Sequence, residues 1–207
     1  MSGKIVELDK DVKKRNNLYG LLILFAIFLP MVMAYIMFKT GWGVSSNTTN
    51  KGQLLTEPVA VNDLSLKNND DRFSVLYPSD KKQWRILVPV TSSCGEACQN
   101  NLYVTRQVHI RLAEKAYRVE RVLLLLDTLS NDELENLERE HPSTLVFKSS
   151  QASLTEWLTK NALPLAPDQY FYLIDQNGFA MMRYGVEHTG HDLLDDLKKL
   201  LKFTYDK

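Results

Sequence analysis

The stretch Leu18–Phe38, LYGLLILFAIFLPMVMAYIMF, runs for 21 residues without a charged side chain. A helix needs about 20 apolar residues, at about 1.5 Å of rise each, to cross a hydrocarbon core of about 30 Å. The stretch therefore predicts one transmembrane helix over 18–38, and the remaining chain must fold in water. A cleaved signal sequence is the rival reading. The apolar run exceeds the usual signal core of about 7–15 residues, and no small-x-small cleavage motif follows it. Pro30 can kink the helix, since the backbone groups it frees are satisfied locally inside a bilayer. Tyr19, Tyr35 and Trp42 fall near the two ends, where interfacial aromatics sit.

The flanks predict the orientation. Lys4, Lys10, Lys13, Lys14 and Arg15 precede the span, whereas only Lys39 follows it closely. Basic residues stay on the cytoplasmic side, so the expected arrangement is a cytoplasmic stub over 1–17, the span over 18–38, a polar linker with short extended segments over 39–82, and a folded domain over 83–207. In a bacterium this is a single-pass inner-membrane protein with its domain in the periplasm, where paired thiols can oxidise. The stub carries five bases and three acids, a net +2, and the 25 bases and 25 acids of the whole chain leave −2 for the rest. A charge this close to neutral excludes a nucleic-acid partner bound by phosphate neutralisation. The chain is 44% hydrophobic, which excludes general disorder.

Within 39–82, the polar runs SSNTTN and KNNDD read as a tether, with extended stretches at Gly52–Thr56 and Phe73–Tyr77. Beyond it the pattern becomes regular. Trp84–Thr91 has the β-branched, apolar character of a buried strand, and Ala97–Arg118 has helical spacing through Leu102, Val108, Leu112 and Ala116. Val119–Asp127 is a second buried strand, and Asp132–His141 a short helix opened by a Ser130-x-x-Glu133 capping box. A strand over Thr144–Lys148 and a helix over Ser153–Asn161, with a Ser153-x-x-Glu156 box, come next. Tyr170–Asp175 and Phe179–Tyr184 form a hairpin around Gln176-Asn177-Gly178, and a last helix, His191–Phe203, follows a Thr189-x-x-Asp192 box. The order β-α-β-α-β-β-α predicts an α/β, thioredoxin-like fold, a mixed sheet flanked by helices, preceded by the transmembrane helix.

The chain has only two cysteines, too few for a disulfide scaffold or a four-thiolate zinc site. Cys94 and Cys98 stand where the first strand hands over to the first helix. A spacing of four puts both sulfurs on one face of the first helical turn, close enough for a disulfide or for one soft metal ion. Amide donors and the helix dipole there favour a thiolate, as both exchange and Cu(I) binding require. Glu96 opposes that shift. A plain structural disulfide in an oxidising compartment is the third reading.

The sequence TSSCGEAC after a buried strand, a helix, a second strand ending in Asp127, and the later YFYLIDQNGFAMMRYG resemble the Sco/SenC family of membrane-anchored, thioredoxin-fold proteins that deliver copper during cytochrome c oxidase assembly. The end of the anchor, the following Gly41-Trp42 and the segment KGQLL resemble a divergent group of single-pass proteins from bacterial oxidase assembly clusters. The resemblance implies Cys94 and Cys98 as Cu(I) ligands or redox thiols, copper as cargo, and oxidase subunits or other assembly factors as partners. It also implies a histidine about five residues before Tyr172, where this chain has Pro167. Pro167 instead falls where thioredoxins place the cis-proline that faces their cysteines, which favours thiol chemistry. Gln99 replaces the family's proline after the second cysteine.

The resemblance leaves three functional readings: oxidase assembly through Cu(I) handling or reduction of target cysteines, general thiol-disulfide oxidoreduction, and a scaffold without chemistry. The other histidines add little. His188 and His191 have metal-pair spacing but coincide with a capping box, His109 is expected mid-helix as a packed or surface residue, and His141 ends a helix where a partly charged imidazole suits the dipole. Asp127 reads as a strand-end turn residue or a loop acceptor.

Overall fold

The computed structural model describes residues 2–40, 49–64 and 82–204, with side chains described from Asn16 onward. Trp42 and the expected extended stretch Phe73–Tyr77 lie outside the described residues. Two units are present, Met1–Thr48 and Thr49–Lys207. In the first, helix α1 (Ser2–Thr40) carries Pro30 in its interior. Its portion Asn16–Thr40 is long and apolar enough to cross a membrane, and its side chains are exposed all round. An apolar surface on every side of a helix is costly in water and suits lipid.

The second unit is built on one six-stranded sheet in the order β1-β6-β5-β2-β3-β4. Its strands are β1 (Gln53–Ala60), β2 (Trp84–Val90), β3 (Val119–Leu125), β4 (Thr144–Lys148), β5 (Phe171–Ile174) and β6 (Phe179–Tyr184). β2, β3 and β4 run parallel, whereas β5 is antiparallel to β2, and β6 and β1 continue antiparallel from it. The helices are α2 (Glu96–Arg111), α3 (Asn131–Glu140), α4 (Gln151–Lys160) and α5 (Gly190–Phe203).

Every residue of β2 is buried, as expected of a central strand covered on both faces. Alternate side chains feed two cores. Ile86, Val88, Leu123 and Leu173 pack with Leu102 and Val108 of α2 and Leu193 and Leu197 of α5. Leu87, Val122, Leu124 and Tyr172 pack on the other face with Leu154, Trp157 and Leu158 of α4.

Several boundaries differ from the sequence reading for local reasons. The first helix of the domain ends at Arg111, because Ala113 turns to a φ of 49° and a 3-10 turn over Ala113–Arg118 returns the chain to β3. The cap of α4 is Ser150, whose hydroxyl accepts the Ser153 amide at 3.1 Å, and not Ser153 itself. The boxes at Ser130/Glu133 and Thr189/Asp192 form as expected. In the hairpin only Gly178 takes a positive φ, 92°, while Asp175 Oδ1 accepts the amides of Asn177 and Phe179.

The largest difference concerns the linker expected over 39–82. Gln53–Ala60 is an edge strand of the sheet, paired with β6 from Gln53↔Arg183 to Ala60↔Phe179 across an irregularity between Leu54 and Val59. An edge tolerates Pro58, which has no amide to donate. The strand is fixed by Asp196 of α5, a carboxylate only 2% exposed. Asp196 accepts the Lys51 amide on both oxygens, the Gly52 amide at 2.8 Å and the Tyr184 hydroxyl at 3.0 Å. Gly52 lies so close to Tyr184 that a Cβ there would enter the phenol ring. The KGQLL segment thus supplies two amides, one position without a side chain and the start of β1.

Removing the acceptor leaves three donors unpaired, two of them buried. Asp196→Ala is expected to cost about 3 kcal/mol or more, and Gly52→Ala about 1–3 kcal/mol by overpacking. Urea denaturation of the full chain reads both. Wild-type stability in either variant contradicts the clamp.

Candidate functional site

The parallel register Val90↔Leu125 brings the ends of β2 and β3 side by side at one edge of the sheet. From β2 the chain passes Thr91 and the exposed Ser92 and Ser93 to Cys94, whose amide donates to Thr91 O at 3.1 Å. Gly95 caps α2, the Gln99 amide bonds back to Gly95 O, and the Gln99 side chain donates to Cys94 O at 3.2 Å. Cys94 and Cys98 are joined in a disulfide with their Cα atoms 5.2 Å apart. The two sulfurs differ in access. Cys94 is half-buried at the surface, whereas Cys98 is fully buried in the core between β2 and α2. A nucleophile from solvent therefore reaches Cys94 and not Cys98. The start of α2 presents free amides and the positive end of the helix dipole to a thiolate at Cys94. Glu96 in the same turn is exposed, where water screens its opposing charge.

Asp127, just past β3, is the loop acceptor and not merely a turn residue. Its Oδ2 accepts the Ser92 amide at 2.9 Å and the Ser92 hydroxyl at 3.0 Å, and Gln151 donates to the same carboxylate. The Ser92 amide chiefly, with the hydroxyl and Gln151, holds this carboxyl below the usual carboxylate range. An ionised Asp127 thus tethers the backbone two residues before Cys94. On the other side, buried Asn101 donates to Asp168 O at 3.2 Å, which holds the loop containing Pro167 beside α2. The described residues contain no cis peptide bond, so Pro167 is trans and does not play the cis-proline part that its sequence position suggested. Its loop is placed by Asn101, a polar residue at a core position of α2.

The histidines do not assemble a metal site with the cysteines. His188 Nδ1 accepts the Gly185 amide at 3.1 Å, exposed His191 lies 3.2 Å from Asp195, and His109 Nε2 lies 2.8 Å from Val119 O. His141, expected to be partly charged at a helix end, is instead buried with its Nδ1 3.3 Å from Arg121 Nη2. Nδ1 can accept from the guanidinium only when it carries no proton. Burial first, then the charges of Arg121 and Arg106, push the imidazole pKa down from 6.5. Among the described residues no three His, Cys, Asp or Glu side chains gather in a metal-binding group. Copper as cargo would meet two sulfurs, once the disulfide is reduced, and no third His, Cys, Asp or Glu donor grouped with them among the described residues. Two thiolates fit Cu(I), while Cu(II) favours added nitrogen ligands.

The neutral state of His141 has a consequence for stability. The unfolded chain takes up its proton near pH 6.5 and the folded chain only below that. Folding is unaffected by this group above about pH 7. It weakens as pH falls through 6.5 towards the lower folded-state pKa. His141→Gln keeps an acceptor for Arg121 without titrating, so the stability of the wild type relative to the variant is expected to fall between pH 7.5 and 5.5 in denaturant titrations. A difference independent of pH contradicts the neutral assignment.

A family model described as transmembrane-like, thioredoxin-like, C-terminal domain matches residues 84–204, from β2 to the end of α5. No curated protein sequence matches the chain. Among solved structures, the chain is similar to yeast Sco1 with copper bound, at 18% identity over 59% of this chain and 80% of that one, with a TM-score of 0.49. It is also similar to BsSco, a member of the Sco family of cytochrome c oxidase assembly proteins, at 16% identity over 75% and 98%, with a TM-score of 0.48. A third is the thioredoxin domain of a thiol-disulfide oxidoreductase from Bacteroides vulgatus, at 14% identity over 59% and 81%, with a TM-score of 0.42. These superpositions are loose, so the fold rests on the strand order and on the family match. Since that match takes in more than half of the chain, with both cysteines and the strands β2 to β6, the protein belongs to the transmembrane-like, thioredoxin-like C-terminal domain family.

Proposed function

We propose that this protein is a membrane-anchored thiol-disulfide protein of the bacterial periplasm that serves cytochrome c oxidase assembly by reducing the cysteines of a partner before metal loading. The observation that carries this reading is the asymmetry of the pair, an accessible Cys94 at a helix start bonded to a buried Cys98. A structural staple has no need of that asymmetry, whereas exchange requires one sulfur that meets the partner and one that is withheld.

In the reduced protein the Cys94 thiolate attacks one sulfur of a partner disulfide. The Cys94–partner bond forms, and the other partner sulfur leaves as a thiolate and takes a proton. Cys98 gives up its proton and attacks Cys94, which closes the Cys94–Cys98 disulfide and releases the second partner thiol. Two electrons pass to the partner, and a dithiol reductant of the same compartment restores the pair. Asp127 holds the Ser92 backbone so that Cys94 stays aimed outward, and the α2 dipole favours its thiolate.

The oxidase assignment rests on the resemblance of TSSCGEAC and YFYLIDQNGFAMMRYG to Sco/SenC proteins, and the orientation on Lys10, Lys13, Lys14 and Arg15 ahead of the span. A second reading, Cu(I) carried between the two thiolates, is supported by their one-turn spacing. It requires one equivalent of Cu(I) per reduced chain, lost in either cysteine variant.

Full-length Cys98→Ser cannot resolve a mixed disulfide. In cells it is expected to accumulate covalent adducts on non-reducing gels that contain an oxidase subunit or assembly factor and vanish with reductant, while Cys94→Ser gives none. Absence of adducts from both variants contradicts the exchange reading.

A further inference from the structure

The two ends of the sheet expose different chemistry. Where β2 begins, the last turn of α2, the 3-10 turn over Ala113–Arg118 and the last turn of α5 come together. Arg118 donates to Leu201 O at 2.8 Å and to Thr204 O, Trp84 Nε1 lies 3.3 Å from Thr204 Oγ1, and the Gln83 side chain donates to Tyr117 O. Three large apolar side chains are nonetheless left exposed at this end: Ile110 at 60%, Tyr117 at 65% and Phe203 at 75%. Lys202 Nζ stands 5.8 Å from the centre of the Phe203 ring.

The charge at this end is positive. Lys82, Arg111, Lys115, Arg118 and Lys202 are five bases against two acids, Glu114 of the 3-10 turn and Asp175 of the hairpin that Gln176 ties to Lys82 O, a net of +3. Arg85 and Glu120 pair with each other at 3.1 Å, and Lys160 pairs with Asp63 at 2.7 Å. Glu138 and Glu140 end α3 on the far side of α2, where Glu140 shares a cleft with Arg106. Exposed Lys198 continues the positive surface back along α5, while Lys199 lies 4.0 Å from Asp196. At the other end of the sheet the loops around Cys94 carry acids, among them Glu96, Asp127, Glu187 and Asp192.

The chain enters the domain beside this same end. Lys199 Nζ donates to Thr49 O at 2.6 Å, one turn before Phe203, and only residues 41–48 separate Thr49 from the end of α1. Fully extended, that stretch spans about 30 Å, so a bilayer holding α1 is always within reach of the domain. Aromatic rings mixed with lysines suit the headgroup layer, where the ring is half-buried and the ammonium stays wet, and an anionic leaflet attracts each base near it. We infer that this basic, aromatic end of the domain rests on an anionic phospholipid surface, with Ile110, Tyr117 and Phe203 in the headgroup layer and Lys82, Lys115 and Lys202 on the phosphates. β2 runs roughly 20 Å from this end towards Cys94, so the contact holds the reactive sulfur off the lipid, and the acids around it are repelled by the same surface. The inference rests on the membrane anchor of the proposed function and is independent of thiol exchange.

With the Cys94–Cys98 disulfide intact, an added cysteine is the only thiol of the full chain, so a fluorophore can be placed at one chosen position. Ala113→Cys puts it in the exposed 3-10 turn, and Val186→Cys puts it just past β6, at the Cys94 end of the sheet. Each labelled chain is reconstituted into vesicles of phosphatidylcholine and phosphatidylglycerol that contain a headgroup-linked nitroxide quencher. Quenching is expected to be about threefold or more stronger at 113 than at 186. The ratio is expected to fall towards one in Lys115→Glu/Lys202→Glu, because each base contributes about fivefold to occupancy of an anionic surface, and to fall likewise in vesicles of phosphatidylcholine alone.

Equal quenching at 113 and 186 in the anionic vesicles overturns the lipid contact and leaves the anchor standing. Failure of the full chain to float with the vesicles overturns both. Iodide supplies a third reading from the aqueous side. It is expected to reach the label at 113 in detergent and to be shielded from it in anionic vesicles. Equal shielding in detergent, the mark of a surface covered by protein, also overturns the lipid contact.

Discussion

The position of β2 is the constraint on which everything else depends. It pairs parallel with β3 on one side and antiparallel with β5 on the other, and its side chains are buried on both faces. The β3 register delivers Asp127 next to Ser92, and the β5 pairing places the 165–168 loop within reach of Asn101. Cys94 emerges between two anchored segments. A one-residue slip of β2 against β3 would turn its buried residues to the other face and carry the cysteine loop away from Asp127. The sheet core and the candidate site are therefore specified by the same pairing.

The parts legible in the sequence are those written locally. WRILVPVT and VERVLLLLD announce strands by apolar runs, Ser130/Glu133 and Thr189/Asp192 mark helix starts by spacing, and CGEAC at a strand–helix junction marks the chemistry. What stayed hidden depends on partners far along the chain. QLLTEPVA reads as no more than a short extended stretch over Gly52–Thr56 in a linker, because its strand partner, the β6 edge, is more than a hundred residues away and the Asp196 acceptor for Lys51 and Gly52 lies on the last helix. His141 reads as an exposed helix end until Arg121 is packed beneath it. One signal was available for this cluster. Arg121 interrupts an apolar strand, and Asn101 and Thr105 occupy inward positions of α2, and polar residues at such positions are buried only when they are bonded.

The site balances access against protection. Cys98, sealed in the core, keeps the inner sulfur from solvent, while the outer one sits at the positive end of α2. Pro167 is trans, and the Asn101–Asp168 bond holds its loop beside α2.

The central claim is that the protein works through its cysteine pair. Oxidase activity in membranes of a deletion strain carrying full-length Cys94→Ser/Cys98→Ser, at an abundance equal to wild type, tests this most directly. The account predicts activity no higher than in the uncomplemented deletion. Full oxidase activity with the double variant stably present would contradict it and leave the fold as a scaffold.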